Sequence, residues 1–256
     1  MTIPFHIVIP ARYASTRLPA KPLRDIAGKA MIQRVYEQAL QAGGQTVTVA
    51  TDDTRIEEVV RQFGGDVLMT AADHPSGTDR LEEVSRLKGF ADDDLIVNVQ
   101  GDEPLIPPGV IRQVAVNLSR QPTAAVATLC EPIEHPEDFD NPNIVKVVAD
   151  LDGLALYFSR APIPWPRDHR LRAAPGLPAG FAPMRHLGIY AYRVSALRRF
   201  VAWPVAPLEA LESLEQLRFL SHGDRIHVES ACASVPGGVD TEADLERVIA
   251  LLHRAS

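Results

Sequence analysis

Two cysteines among 256 residues, Cys130 and Cys232, in no CxxC arrangement, argue against a disulfide framework and against a cysteine-rich zinc site. Two buried free thiols in a reducing compartment are the expectation. No apolar run approaches the ~20 residues that a membrane-spanning helix needs. The opening stretch MTIPFHIVIPARY has no basic segment followed by a long apolar one, so it does not read as a signal peptide. A cytoplasmic protein without membrane insertion is expected. Positive charge is in deficit, with 26 Lys+Arg against 33 Asp+Glu and a net charge of -7, which argues against a nucleic-acid partner. Two familiar nucleotide-binding signatures are missing as well. There is no GxxxxGK[ST] phosphate loop, and no GxGxxG follows the first strand.

What remains is a chain that is 46% hydrophobic, long enough for one sizeable core. Short apolar runs at Phe5–Ile9, Thr46–Ala50, Asp66–Met69, Leu95–Val99 and Ala124–Leu129 read as strands. The segments between them, Met31–Ala42, Thr54–Phe63, Thr78–Leu87 and Pro108–Arg120, carry apolar residues at helical spacing. Strand–helix alternation of this kind predicts an α/β fold, Rossmann-like, with a mainly parallel sheet flanked by helices. After about residue 130 the pattern changes. A hairpin is predicted from Val145–Ala149 and Leu154–Ser159 around an Asp-Leu-Asp-Gly turn. A Pro/Ala/Arg-rich surface excursion over 161–183 follows, then a strand at Arg185–Tyr192, helices near 194–201 and 207–221, a strand at Ile226–Cys232 and a final helix from Thr241. The whole chain, 1–256, is read as a single domain, with about 133–225 inserted as a small mixed α/β subdomain whose last elements return to the main sheet and whose hairpin and excursion suit a dimer contact.

The segment after the first strand is Pro10-Ala-Arg-Tyr-Ala-Ser-Thr-Arg-Leu-Pro-Ala-Lys-Pro-Leu23. Ligands of open α/β sheets sit beyond the carboxyl ends of strands. Arg12, Arg17 and Lys21 place three cations within ten residues, and three prolines restrict the backbone around them. Ser15 and Thr16 add hydroxyls. A triphosphate needs several such donors converging on one volume, and a stiffened loop lowers the entropy of gathering them. A solvated basic loop is the plain alternative.

Val97-Asn-Val-Gln-Gly-Asp-Glu-Pro-Leu105 turns from apolar to polar at the end of a buried strand, with Asn98, Gln100 and Asp102 on one phase. Asp102 offers hard oxygen to Mg²⁺, with Glu103 secondary; an ordinary turn is the alternative. In Gly238-Val-Asp240-Thr-Glu-Ala-Asp244, Thr241 and Asp244 resemble a capping box, which would leave Asp240 outside the helix; Asp240 as the cap itself is the alternative. Asp73–Arg80 precedes a helix that Ser76 or Thr78 could cap. Over Arg185–Tyr192, Leu187, Ile189 and Ala191 make one face and His186, Gly188, Tyr190 and Tyr192 the other. In Leu208–Arg218, Glu209, Glu212 and Glu215 read as a solvated helix stripe.

Several of these segments together resemble a known family. PARYASTRLPxKPL followed by GKxMI, then DHPSGTDR, VQGDEP, YFSRA, RHLGIYAYR, LEQLR and GVDT, is similar to the Kdo (3-deoxy-manno-octulosonate) cytidylyltransferases, also called CMP-Kdo synthetases, over nearly the whole chain. The resemblance implies a nucleotide-diphospho-sugar transferase-like fold and cytidylyl transfer from CTP to Kdo, giving CMP-Kdo and pyrophosphate for lipopolysaccharide synthesis. It implies that Arg12, Ser15, Arg17 and Lys21 handle the CTP phosphates, that Ser76, Gly77 and Arg80 hold cytosine and ribose, and that Asp102 and Asp240 bind Mg²⁺. Arg12, Lys21 and Asp102 then carry the catalysis. It assigns the sugar acid to Gln100, Arg160, His186, Tyr190, Glu215 and Gln216, and a homodimer is expected. Residues 167–183 depart from the family pattern, Ala191 stands in place of a glycine, and the approach to Asp240 is shortened. The rival readings are transfer to another sugar acid, such as 8-amino-Kdo or a sialic acid, and a non-catalytic sugar-nucleotide-binding protein.

Overall fold

A computed structural model describes residues 3–14, 18–171 and 176–255 of the chain. Ser15 and Arg17, expected at the phosphates, lie outside the described residues. The strands are β1 (His6–Ala11), β2 (Asp25–Ile26), β3 (Lys29–Ala30), β4 (Thr46–Thr51), β5 (Asp66–Met69), β6 (Leu95–Asn98), β7 (Val126–Pro132), β8 (Lys146–Ala149), β9 (Ala155–Ser159), β10 (Met184–Arg193) and β11 (Ile226–Ser230). Nine of them form one sheet, in the order β11-β7-β10-β6-β1-β4-β5, with the β8–β9 hairpin attached through β10; β2 and β3 form a separate small ribbon.

β1, β4, β5 and β6 pair in parallel, as the strand–helix alternation predicts. Ile7, Val8 and Ile9 are fully buried, as expected of a parallel strand covered on both faces. Helices Met31–Gln41, Thr54–Gln62 and Pro108–Arg120 pack on one face with Ile32, Val35, Ile56, Val110 and Val114. Helices Gly77–Lys88, Val194–Ala202 and Gln216–Ser221 cover the other with Leu81, Val84, Leu197 and Phe200. The mixed α/β architecture with a mostly parallel central sheet is the expected one.

Within 133–225, read as an insert whose last elements return to the main sheet, β10 lies in the middle of that sheet, antiparallel to both β6 and β7. Three features differ from the sequence reading. The helix expected over 207–221 is two, Pro207–Glu212 and Gln216–Ser221, because Ser213 takes a left-handed conformation (φ 52°) that no helix accommodates. The three glutamates on that segment do not form one solvated stripe, although Glu215 is exposed. Glu209 makes a bidentate pair with Arg218 in which both side chains are 8% exposed, Glu212 holds Ser159 and the Arg160 amide, and Glu215 reaches Thr78. Finally, Cys130 is a buried free thiol but Cys232 is exposed.

The last helix, Glu242–Ala255, begins with the capping box: the Asp244 amide donates to Thr241 Oγ1, and Asp244 Oδ2 accepts from the Thr241 amide. Asp240 is thereby left just outside the helix. Leu18, Ile26, Met31, Val239, Leu245 and Val248 form a third apolar cluster, which fastens the end of the Pro10–Leu23 loop to this helix. Among the described residues no helix is long and apolar enough to cross a membrane.

Candidate active site

Two hollows lie along the carboxyl rim of the parallel strands and share Gln100 and Gly77 as a common wall. The first, about 460 Å³, is bounded by Pro10, Arg12, Lys21, Gly101, Asp102 and Asp240. The second, about 490 Å³, is bounded by Asn98, Glu103, His186, Tyr190, Glu215 and Gln216, among others. They are adjacent because β1 and β6 are hydrogen-bonded parallel neighbours whose carboxyl ends carry Arg12 and Gln100 to the same rim. Gly101 lets the two exits approach, since a Cβ there would sit 2.9 Å from the Pro10 carbonyl oxygen.

The first hollow is polarised. Lys21 Nζ donates to Asp102 Oδ2 (2.6 Å) and to Asp240 Oδ1 (2.8 Å), so residues far apart in sequence converge on one point. Burial alone would lower the Lys21 pKa, but the two carboxylates outweigh it and hold the ammonium above its ordinary value. Arg12 donates to the carbonyls of His74 (2.8 Å) and Ser76 (3.3 Å), which ties the first loop to the turn before helix Gly77–Lys88. Among the described residues no three His, Cys, Asp or Glu side chains form a ready metal cluster. Asp102 and Asp240 nevertheless present hard oxygens to a shared volume, with side chains 36% and 48% exposed. That donor set fits one Mg²⁺ whose remaining ligands come from phosphate and water, as is usual for this ion.

Ser76 caps its helix, accepting from the Asp79 amide. Thr78, the other candidate cap, donates instead to Glu215 Oε2 at 2.9 Å. Gly77 faces both hollows, and a Cβ there would meet no atom within 4 Å. Arg80 is fully buried, its guanidinium held by Thr70 and Asp52. It therefore supports the turn from below rather than lining either hollow.

The second hollow depends on a bulge in β10. Leu187 pairs with Leu129 and Tyr190 with Thr128, so Gly188 and Ile189 are extra. Two extra residues preserve the side-chain alternation, and His186, Gly188, Tyr190 and Tyr192 all face the cavity, the face that the sequence alternation identified. The buried Thr128 hydroxyl fills the bulge, lying 2.9 Å from His186 Nε2 and 2.7 Å from the Ile189 carbonyl. Burial pushes the His186 imidazole down to about 3, so it is neutral at ordinary pH. Burial likewise raises the Glu215 carboxyl, against the opposing hydroxyls of Thr78 and Ser76. Glu103 is pushed up to about 8 by burial and then by the Asp102 charge, and its Oε2 is buried without a hydrogen-bond partner among the described residues.

Most of the residues expected at a site are thus brought together. Arg12, Lys21, Asp102 and Asp240 meet in the first hollow, His186, Tyr190, Glu215 and Gln216 in the second, and Gln100 and Gly77 stand between. Arg160 is not among them: its guanidinium donates to the carbonyls of Glu212 (2.7 Å) and Pro142 (3.0 Å), outside the cavity wall. Asn98, Tyr192 and Thr78 also line the cavity, although no substrate contact was expected of them. Strand alternation already placed Asn98 and Tyr192 on the right faces, whereas nothing in the sequence distinguished Thr78 from a helix cap.

A family model described as cytidylyltransferase matches residues 6–226. A 3-deoxy-manno-octulosonate cytidylyltransferase of Cellvibrio japonicus is 66% identical over 250 residues, covering 97% of this chain and 98% of the relative. One from Hahella chejuensis is 57% identical and covers 98% and 99%. The solved structure of a CMP:2-keto-3-deoxy-manno-octonic acid synthetase complexed with CTP superposes with a TM-score of 0.89 at 46% identity, covering 99% of this chain and all of that one. With a family match across most of its length and relatives alike from end to end, the chain belongs to the cytidylyltransferase family.

Proposed function

We propose that this protein transfers the cytidylyl group of CTP to 3-deoxy-manno-octulosonate, giving CMP-Kdo and pyrophosphate. The observation that carries the reading is the pair of hollows meeting at Gln100 and Gly77, one lined by the cations Arg12 and Lys21 with two carboxylates, the other by hydrogen-bonding side chains that include His186, Tyr190, Gln216, Glu215 and Arg185. A nucleotide in the first and a sugar acid in the second would bring the anomeric 2-hydroxyl to the α-phosphate at the shared wall. Full-length relatives bear the name of this activity, and the superposed structure binds CTP.

In the reaction the 2-hydroxyl oxygen forms a bond to the α-phosphorus while the bond to the β-phosphate bridging oxygen breaks. The hydroxyl proton is lost and pyrophosphate departs. No covalent enzyme intermediate is needed, so the protein acts by positioning and charge stabilisation. Arg12 and Lys21 bind phosphate oxygens, with Ser15 and Arg17 of the same loop. Ser76 and Gly77 bound the nucleoside side, and Arg80 keeps their turn in place. Gln100, His186, Tyr190, Glu215 and Gln216 orient the sugar acid. Mg²⁺ held by Asp102 and Asp240 would neutralise charge on the α-phosphate and acidify the attacking hydroxyl. The exposed Leu151, Leu156 and Trp165 on and after the β8–β9 hairpin support a homodimer, and a cytosolic substrate such as CTP supports a cytoplasmic location.

The test is a pyrophosphate-release matrix of the four nucleoside triphosphates against Kdo, 8-amino-Kdo and a sialic acid, with and without Mg²⁺. Release with CTP and Kdo that depends on Mg²⁺ is expected. Absence of release with CTP and every acid would remove the catalytic reading, and a clear preference for another acid would reassign the acceptor.

A further inference from the structure

Lys146, on β8, is fully buried yet ends in an ammonium group. Its three donor hydrogens face three backbone carbonyls: Asn141 at 2.9 Å, Ile144 at 2.6 Å and Arg160 at 2.7 Å. An ammonium has three donors and no acceptor, so its capacity is filled by backbone alone. The carbonyls come from two stretches. Asn141 and Ile144 belong to the loop entering β8, whose residues Asn143, Ile144 and Val145 line the second hollow. Arg160 follows β9, and its side chain in turn grips the carbonyls of Glu212 and Ser213, at the turn that leads to Glu215 and Gln216.

Three carbonyl oxygens gathered within hydrogen-bonding distance of one atom repel each other unless a cation sits among them. Burying a lone ammonium is costly, and the cost is offset here by three well-formed charge-assisted hydrogen bonds. A charge maintained in the interior on these terms fixes a shape. The shape is the junction of the two cavity walls: Lys146 ties the loop to the Arg160 backbone, and the Arg160 guanidinium spans from Pro142 to Glu212 and Ser213.

We infer that Lys146 is a positioning residue for the acceptor sugar: it holds the 141–145 loop and, through Arg160, the Ser213 turn at the separation that fits the sugar acid. The inference rests on the reading of the second hollow as the acceptor site. Lys146 touches no substrate; it acts through the walls that do.

The test is Lys146→Met, which keeps an unbranched apolar stem one atom shorter and removes the donors, assayed in the full-length protein by pyrophosphate release and by direct CTP binding. The KM for Kdo is expected to rise at least tenfold, while the affinity for CTP stays within a factor of two. An acceptor KM within twofold of the parent overturns the inference, and so does an equal loss of CTP affinity, which would mark general damage. If that variant does not fold, Glu212→Gln disturbs the same junction more gently through Ser159 and Arg160. It is expected to raise the acceptor KM about threefold at unchanged CTP affinity, and an unmoved KM overturns the inference equally. A parent protein inactive with Kdo and every other acid would instead remove the acceptor-site reading itself.

Discussion

Lys21 donates to Asp102 across 2.6 Å, and that contact joins the loop after β1 to the exit of β6. The same ammonium reaches Asp240 before the last helix, so one partly buried cation gathers three distant stretches of chain. If these carboxylates take the metal, Asp102→Asn and Asp240→Asn should each lower turnover by about 10²–10³-fold at limiting Mg²⁺, with partial recovery at high Mg²⁺. Lys21→Met should lose comparable activity without such recovery, since added metal does not replace a phosphate ligand. Turnover against Mg²⁺ concentration, with melting temperature as the control, separates the cases. Near-parent turnover of Asp102→Asn at limiting Mg²⁺ would falsify the metal assignment.

A side chain added at Gly188 would meet no protein atom within 4 Å and would stand in the second hollow. Gly188→Val should therefore fold with little change in melting temperature while the KM for Kdo rises by about tenfold, roughly the 1.4 kcal/mol of one lost contact. CTP binding should be unaffected. An unchanged acceptor KM would mean that the sugar lies elsewhere.

His186 gives the protein a dependence on acid. Its folded pKa is depressed by burial to about 3, below the 6.5 expected of the unfolded chain. Between these values the unfolded state binds a proton that the native state does not, so stability falls as pH drops from 6.5 towards 3 and is unaffected by this group above 6.5. The loss should reach about 1.4 kcal/mol by pH 5.5. Urea unfolding from pH 7.5 to 5 should show that slope in the parent and a shallower one in His186→Asn. Equal slopes would show that the imidazole is protonated freely in the native state.

The Glu209–Arg218 pair is almost wholly enclosed, with Arg218 also packed over the Phe200 ring. Removing one partner strands a buried charge, so Arg218→Leu should destabilise by about 3–5 kcal/mol, whereas Glu209→Leu combined with Arg218→Leu should recover much of that. Chemical denaturation of both variants measures the difference. Equal stability of the single and double variants would mean that the lone carboxylate is not strongly penalised.

Much of this molecule could be read from one sequence because its signals are local. Ile7–Ile9 and Leu95–Val97 announce buried strands by composition, and Thr241 with Asp244 announces a helix start through a hydrogen bond between near neighbours. The cations after β1 and the aspartate after β6 follow from where ligands sit on such sheets. Less was legible where distant partners decide. Glu209 and Glu212 look like surface charge until Arg218, Ser159 and Arg160 are brought to them by the fold. Arg160 sits in a motif that suggests substrate binding, yet carbonyls of Pro142 and Glu212 take its donors. Lys146 carries no sequence mark at all, because the carbonyls that hold it belong to every residue type alike.

The position of β10 also bears on how the chain assembles. Both strands that it separates, β6 and β7, are made well before it, and the other neighbour of β7, β11, comes later still. A nascent chain emerging from the ribosome can close β1, β4, β5 and β6, but it must hold β7 without a sheet partner until residues 184–193 emerge. Until then the edge of β6 stands open, with the unpaired backbone that invites a second chain. Synthesis therefore passes through an interval in which the amino-terminal half is most vulnerable to aggregation, and the strand that carries His186 and Tyr190 is the one that ends it.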